Sequence, residues 1–119
     1  MENNERKSLS RDELSYGVAA LSLYRRRLKG LDPTGITPLE RLARMCDGAI
    51  ARLCGARGGG GTLTPAGLPS AEAALLCEAV EMLTDELGCM ASLSGSPLDG
   101  EIESLRGLER RLRGRGEGA

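Results

Sequence analysis

Apolar residues recur every three or four positions in four stretches of the chain, and each stretch is bracketed by residues that start or stop helices. The first begins at Ser10, where Ser10-Arg11-Asp12-Glu13 fits a capping box: the hydroxyl accepts from a free backbone N–H and the glutamate reaches back. The pattern predicts a helix to about Lys29, closed by Gly30 in the left-handed conformation with Leu31 folded back against it. Asp32-Pro33-Thr34-Gly35 then reads as a turn.

The second stretch has Thr37 as cap, Pro38 at the first helical position and Glu40 three residues after the cap. Leu39, Leu42, Cys46, Ala49, Ile50 and Leu53 fall on one face of this helix, and Gly55 is the expected stop. The following ARGGGGTLTPAGLP holds too much Gly and Pro for regular structure and reads as a flexible connector, about residues 56–69. Four glycines in a row are no phosphate cradle here, because Gly-Lys-Ser/Thr leading from a strand into a helix is missing.

Ser70 is the expected cap of a long third helix running to about Leu93. Leu76, Val80, Leu83, Leu87 and Met90 make its central stripe, and Leu75, Met82 and Cys89 a second ridge beside it. The apolar arc spans roughly 200°, about twice what packing on one neighbour requires. Either this helix is central to a bundle or one flank lines an open groove.

Ser96-Pro97-Leu98-Asp99 repeats the cap, proline, apolar, acid order of Thr37-Pro38-Leu39-Glu40 and predicts a fourth helix with Leu98, Ile102, Leu105, Leu108 and Leu112 inward. Gly100 weakens its first turn, so the start can slip to Asp99. Four amphipathic helices with short or glycine-rich connections predict an all-α, antiparallel four-helix bundle. The expected organisation is a polar N-terminus over 1–9, one helical domain over 10–113, and a polar tail over 114–119, both ends disordered.

Composition fits that picture. With no Phe, no Trp and two Tyr in 119 residues, the core has to be aliphatic, which suits helices better than sheets. Sixteen Lys and Arg against 17 Asp and Glu leave no global field to draw in nucleic acid or an anionic surface. No 18-residue apolar run and no signal-like start are present, so a cytoplasmic protein is expected. Cys46, Cys54, Cys77 and Cys89 form no close pair and there is no His to complete a zinc site; they read as reduced, mostly buried thiols.

Catalysis is not expected. Histidine, the usual general base near neutral pH, is absent, and carboxylate pairs such as Glu78 with Asp85 or Glu81 with Asp85 lie opposite the apolar stripe. No cofactor or metal is expected either. Arg25-Arg26-Arg27 with Lys29 complements a helix C-terminus, and Arg106, Arg110, Arg111, Arg113 and Arg115 form a second basic face able to pair with the acidic third helix. Phosphate contact by these clusters is the lesser alternative.

Gly48 needs its own account, since glycine inside a helix costs about 1 kcal/mol relative to alanine. Its place on the flank of the apolar face, beside Arg41 and Arg52, predicts close approach by another backbone; a merely tolerated small residue is the alternative.

The stretch Pro38 to Ile50, with Met45-Cys46-Asp47-Gly48-Ala49-Ile50 at its end, resembles the flagellin-specific secretion chaperones of the FliS family, in which a Ser/Thr-rich element ending in proline precedes a helix reading approximately Leu-Tyr-Asp-Gly-Ala-Ile. Asp85-Glu86-Leu87 and Gly100-Glu101-Ile102, then Leu105 and Leu108, are similar to later family elements in the same order, so the resemblance covers residues 37–112. Cys46 stands where the family has tyrosine, the middle connection is longer, the leucine spacing after Ile102 is off by one, and an extra capped helix precedes the proline.

The resemblance implies a cytoplasmic helical-bundle chaperone that binds the disordered C-terminal segment of flagellin, prevents premature polymerisation and passes it to export. The expected partner-binding residues are Leu75, Met82, Cys89, Ile50, Leu53 and Tyr24, with Pro38, Asp47, Gly48 and Ala49 as motif and packing positions. The alternative is a helical adaptor or dimerising bundle that buries the second ridge of the third helix against its own copy, with monomer and homodimer both open under the chaperone reading; a nucleic-acid binder is less favoured.

Overall fold

The computed structural model describes residues 8–31, 38–59, 62–95 and 97–114. They form four helices, α1 (Arg11–Leu31), α2 (Pro38–Arg57), α3 (Ser70–Ser94) and α4 (Asp99–Arg113), with a 3₁₀ turn at Pro65–Gly67 and no strand among the described residues.

Contacts across the bundle give the helix directions. Gly17 and Arg25 of α1 meet Leu53 and Asp47 of α2, so these two run antiparallel. Gly17 and Arg27 meet Leu76 and Glu86 of α3, so α1 and α3 run parallel and their C-terminal ends share one end of the molecule. The short α3–α4 connection and the Arg113–Glu81 pair reverse α4 against α3. The order is up, down, up, down, an antiparallel four-helix bundle. One aliphatic core joins all four helices, with Leu21, Leu53, Leu76, Leu105, Leu108 and Leu112 enclosed.

The capping box at Ser10 is formed: the Glu13 N–H donates to Ser10 Oγ at 3.1 Å and the Ser10 N–H to Glu13 Oε1 at 2.8 Å. Several expected stops differ. Gly30 is an ordinary helical residue and Leu31 is 73% exposed, so no left-handed closure is made there. The Asp32–Gly35 turn and the Thr37 cap fall outside the described residues. Gly55 does not end α2, which continues to Arg57; the chain turns instead at Gly59, whose φ of 89° is the left-handed region that favours glycine. The clearest stop is Gly95 after α3, with φ 73° and its N–H donating to Ala91 O at 3.0 Å.

Ser70 is the first helical residue of α3 rather than its cap. Extended Pro69 occupies the cap position, with no side chain bonding the free N–H groups. α4 starts at Asp99, with Pro97 and Leu98 ahead of it, and the Ser96 cap lies outside the described residues.

The glycine-rich connector is anchored over its second half. Thr64 Oγ1 accepts from the Gly67 N–H at 3.0 Å, Pro65 and Leu68 are buried, and the turn they form packs on α4. Leu9, read from sequence as part of a disordered start, is buried too, its N–H donating to Leu63 O at 2.7 Å. The apolar residues TLTPAGLP carries explain this: Leu63, Pro65 and Leu68 give an irregular segment something to bury. Residues 1–7, 60–61 and 115–119 lie outside the described set.

Candidate functional site

Burial divides α3 in two. In its first half Ala73, Leu75, Leu76, Ala79 and Val80 are enclosed by the neighbouring helices. From Glu81 onward no described residue of the helix is buried: Leu83 and Leu87 pack partly on the core, Met82 is half-buried beside it, and Cys89, Met90 and Leu93 are exposed. The wide apolar arc read from sequence is therefore used up at one end and left open at the other.

The open end forms one wall of a shallow groove of about 510 Å³, lined from α3 by Glu78, Glu81, Met82, Asp85, Glu86 and Cys89 and from α1 by Tyr24 and Arg27. The spacing follows helical geometry. Met82, Glu86, Cys89 and Leu93 lie at i, i+4, i+7 and i+11, one stripe along α3. Tyr24, Arg27 and Leu31 lie at i, i+3 and i+7, the facing stripe of α1. Because the two helices run parallel, both stripes leave the groove at the same end, and there stand the three large hydrophobic side chains that are exposed among the described residues: Leu31 at 73%, Met90 at 54% and Leu93 at 88%.

The rim is acidic, with four carboxylates facing one guanidinium. Arg27 pairs with Glu86 across the groove, and Tyr24 donates its hydroxyl hydrogen to Glu78 Oε2 at 3.0 Å. Burial, then the Glu78 hydrogen bond and charge, hold the Tyr24 phenol above its ordinary pKa. Glu81 meets Arg113 of α4 at 3.3 Å. Asp85 is exposed and has no ion pair among the described residues.

The residues expected to bind a partner separate on this geometry. Tyr24, Met82 and Cys89 come together in the groove. Leu75 and Leu53 do not: at 4% and 1% exposure they belong to the core and have no surface to offer. Ile50 is half-buried, packs on the core from α2 and does not line the groove.

Of the motif residues, Pro38 opens α2 and Ala49 is buried. Asp47 takes two hydrogen bonds from Arg25, at 2.5 and 3.1 Å, tying α2 to α1. Gly48 is exposed, and a Cβ there would meet only Glu72 Oε2 at 3.9 Å, so the expected close approach is not made. The tight position is Gly17 of α1, where a Cβ would sit 2.9 Å from Leu53 Cδ1 and 3.5 Å from Leu76 Cδ1. Its signal was in the sequence: Gly17 lies between Leu14 and Leu21 at core spacing, a missing side chain on a buried face.

The thiols are more open than expected. Cys46 is buried, Cys54 and Cys77 are half-buried and Cys89 is exposed; none of the four forms a disulfide. Burial, followed by the charge of Asp47, raises the Cys46 pKa. Among the described residues no group of three or more His, Cys, Asp or Glu side chains is placed to hold a metal ion, and no helix is long and apolar enough to cross a membrane.

Much of the two arginine clusters serves the bundle. Arg25 and Arg27 reach Asp47 and Glu86, while Arg111 pairs with Glu13 and Arg113 with Glu81 and Glu109. Comparison with protein-family models, with curated proteins and with solved structures finds no match to this chain.

Proposed function

We propose that the protein is a client-binding helical bundle of the secretion-chaperone type, which shelters an amphipathic segment of a flagellin-like protein in the cytoplasm and delivers it to export. The observation that carries this reading is the unfinished half of α3: exposed Cys89, Met90 and Leu93 with Leu31 of α1, and half-buried Met82 and Tyr24 beside them, make an apolar strip that the protein's own helices leave partly uncovered. A groove between two helices is a common seat for an amphipathic helix, which brings its own apolar face to the strip.

The resemblance to the FliS family adds the client class, and it falls largely on scaffold residues. Ala49 is core and Asp47 ties α2 to α1, while Leu105 and Leu108 are enclosed. The likeness therefore speaks for the bundle and leaves recognition to the groove. No catalytic step and no cofactor enter this reading. Nucleic-acid binding is disfavoured because Arg25, Arg27, Arg111 and Arg113 are engaged with carboxylates of the same chain.

The test is titration of the full chain with a peptide of a flagellin C-terminal segment, followed by calorimetry. Saturable one-to-one binding that Leu93→Asp weakens, with helicity unchanged, is the expected result. A folded chain that takes up no heat signal at any peptide concentration ends the proposal. A second reading, self-association through the same strip, is favoured by the clustering of Leu31, Met90 and Leu93 at one end; sedimentation equilibrium separates it, since a two-fold dimer is its expected outcome.

A further inference from the structure

Resting on the groove as the client's seat, we infer that it selects a cationic amphipathic helix: an apolar stripe laid along Met82, Cys89 and Leu93 between flanks of lysine or arginine. The groove and such a helix are complementary in charge. Glu78, Glu81, Asp85 and Glu86 line the groove along the same stretch of α3 that carries the open apolar stripe, Arg27 is the one cation among the lining residues, and Arg113 reaches Glu81 from α4. A bound helix with acidic flanks would bring like charges together while displacing water, and one with basic flanks would relieve the repulsion already present.

The carboxylates are not equally available. Glu86 is engaged by Arg27, Glu81 by Arg113 and Glu78 by the Tyr24 hydroxyl. Asp85, exposed and without an ion pair among the described residues, stands between Met82 and Cys89 in sequence and on the groove wall. It is the residue a partner's cation meets first. From Met82 to Leu93 the strip is about 16 Å long at the rise of an α-helix, enough for three turns of a partner.

An apolar strip with neutral flanks would accept any greasy helix. The acidic rim turns acceptance into selection by penalising the wrong charge, which is how interfaces commonly gain specificity. Steering by the rim also makes association sensitive to ionic strength.

Two probe peptides of about 14 residues, roughly four turns, test this: both carry the same Leu/Met stripe, one with lysine flanks and the other with glutamate. Fluorescence anisotropy with the full chain is expected to show the lysine probe binding about ten-fold tighter, with the preference shrinking as salt rises. Asp85→Lys, an exposed change, is expected to weaken the lysine probe about five-fold while leaving helicity unchanged. Bound lysine probe is also expected to slow alkylation of Cys89, read by mass spectrometry.

Equal binding of the two probes, an Asp85→Lys variant indistinguishable from the parent, or unprotected Cys89 overturns the inference. A flagellin segment that binds in the groove without regard to flank charge overturns it while sparing the client-binding reading. Discrimination between the probes by a chain that ignores the flagellin segment upholds it and removes the flagellin client. A stable dimer that covers the strip and refuses both probes overturns both.

Discussion

Two glycines on neighbouring helices have opposite physical roles. Gly17 lies where α1, α2 and α3 converge, with Leu53 Cδ1 2.9 Å from the position a Cβ would take, whereas Gly48 is exposed and a Cβ there would only touch Glu72 Oε2, at 3.9 Å. Gly48→Ala is therefore expected to stabilise the fold by about 0.5–1 kcal/mol, by removing backbone freedom from the unfolded chain. Gly17→Leu is expected to destabilise by about 2 kcal/mol or more, because its side chain would have to displace Leu53 and Leu76, both 1% exposed, within the core. Urea unfolding of the two variants checks both signs. Cys46 gives a pH-dependent contrast at the same scale. Burial holds its folded pKa above the ordinary 9.0, so the folded state keeps its proton where the unfolded chain has lost it. Its contribution is intact below about pH 9 and is lost as pH rises through the folded value. Stability is thus expected to fall above about pH 9, with Cys46→Ala showing a shallower decline in thermal melts across that range.

Glu13 shows how one side chain serves an element and its neighbour together. Its Oε1 accepts the Ser10 N–H at 2.8 Å and also pairs with Arg111 of α4 at 2.5 Å. Ser10→Ala removes the hydroxyl that caps α1 and is expected to cost about 1 kcal/mol. Glu13→Gln keeps a cap acceptor and surrenders the charge, so it is expected to fall between the parent and Glu13→Ala in denaturant midpoint. This start was legible from Ser10-Arg11-Asp12-Glu13 because a capping box is local chemistry, complete within four residues. The ends were less so. Gly30 and Gly55 are sound stop signals in isolation, yet both helices run past them, since a glycine permits the left-handed turn without requiring it. The breadth of the apolar arc of α3 was also readable, but not which half stays open: that depends on where α1, α2 and α4 end against it, which no window of α3 contains. Leu75 and Cys89 looked alike on the helical wheel and differ entirely in burial.

The ion pairs between helices follow the topology of the whole bundle. Arg25–Asp47 joins α1 to α2, Arg27–Glu86 joins α1 to α3, Arg52–Glu72 joins α2 to α3, Arg111–Glu13 joins α4 to α1 and Arg113–Glu81 joins α4 to α3. Surface pairs of this kind add little to stability, and most of it comes from the enclosed leucines, each of which gains about 1.5–3 kcal/mol by leaving water. What the pairs can do is discriminate. An all-leucine interface accepts several helix registers and orders, and opposite charges at fixed positions favour one of them over the rest. Two consequences can be measured. Raising salt from about 0.1 M to about 1 M is expected to move the melting temperature only slightly, because the aliphatic core is not screened. The sharper case is Arg52–Glu72, whose Glu72 side chain is only 15% exposed. Arg52→Glu sets two carboxylates together at that contact, and Glu72→Arg sets two guanidiniums together. Each single reversal is expected to lower the urea midpoint, and the double reversal to recover most of it, since the opposite charges are restored with their places exchanged. Two single losses that simply add in the double variant would mean that the charges do not communicate, and that helix order in this bundle is set by side-chain shape alone.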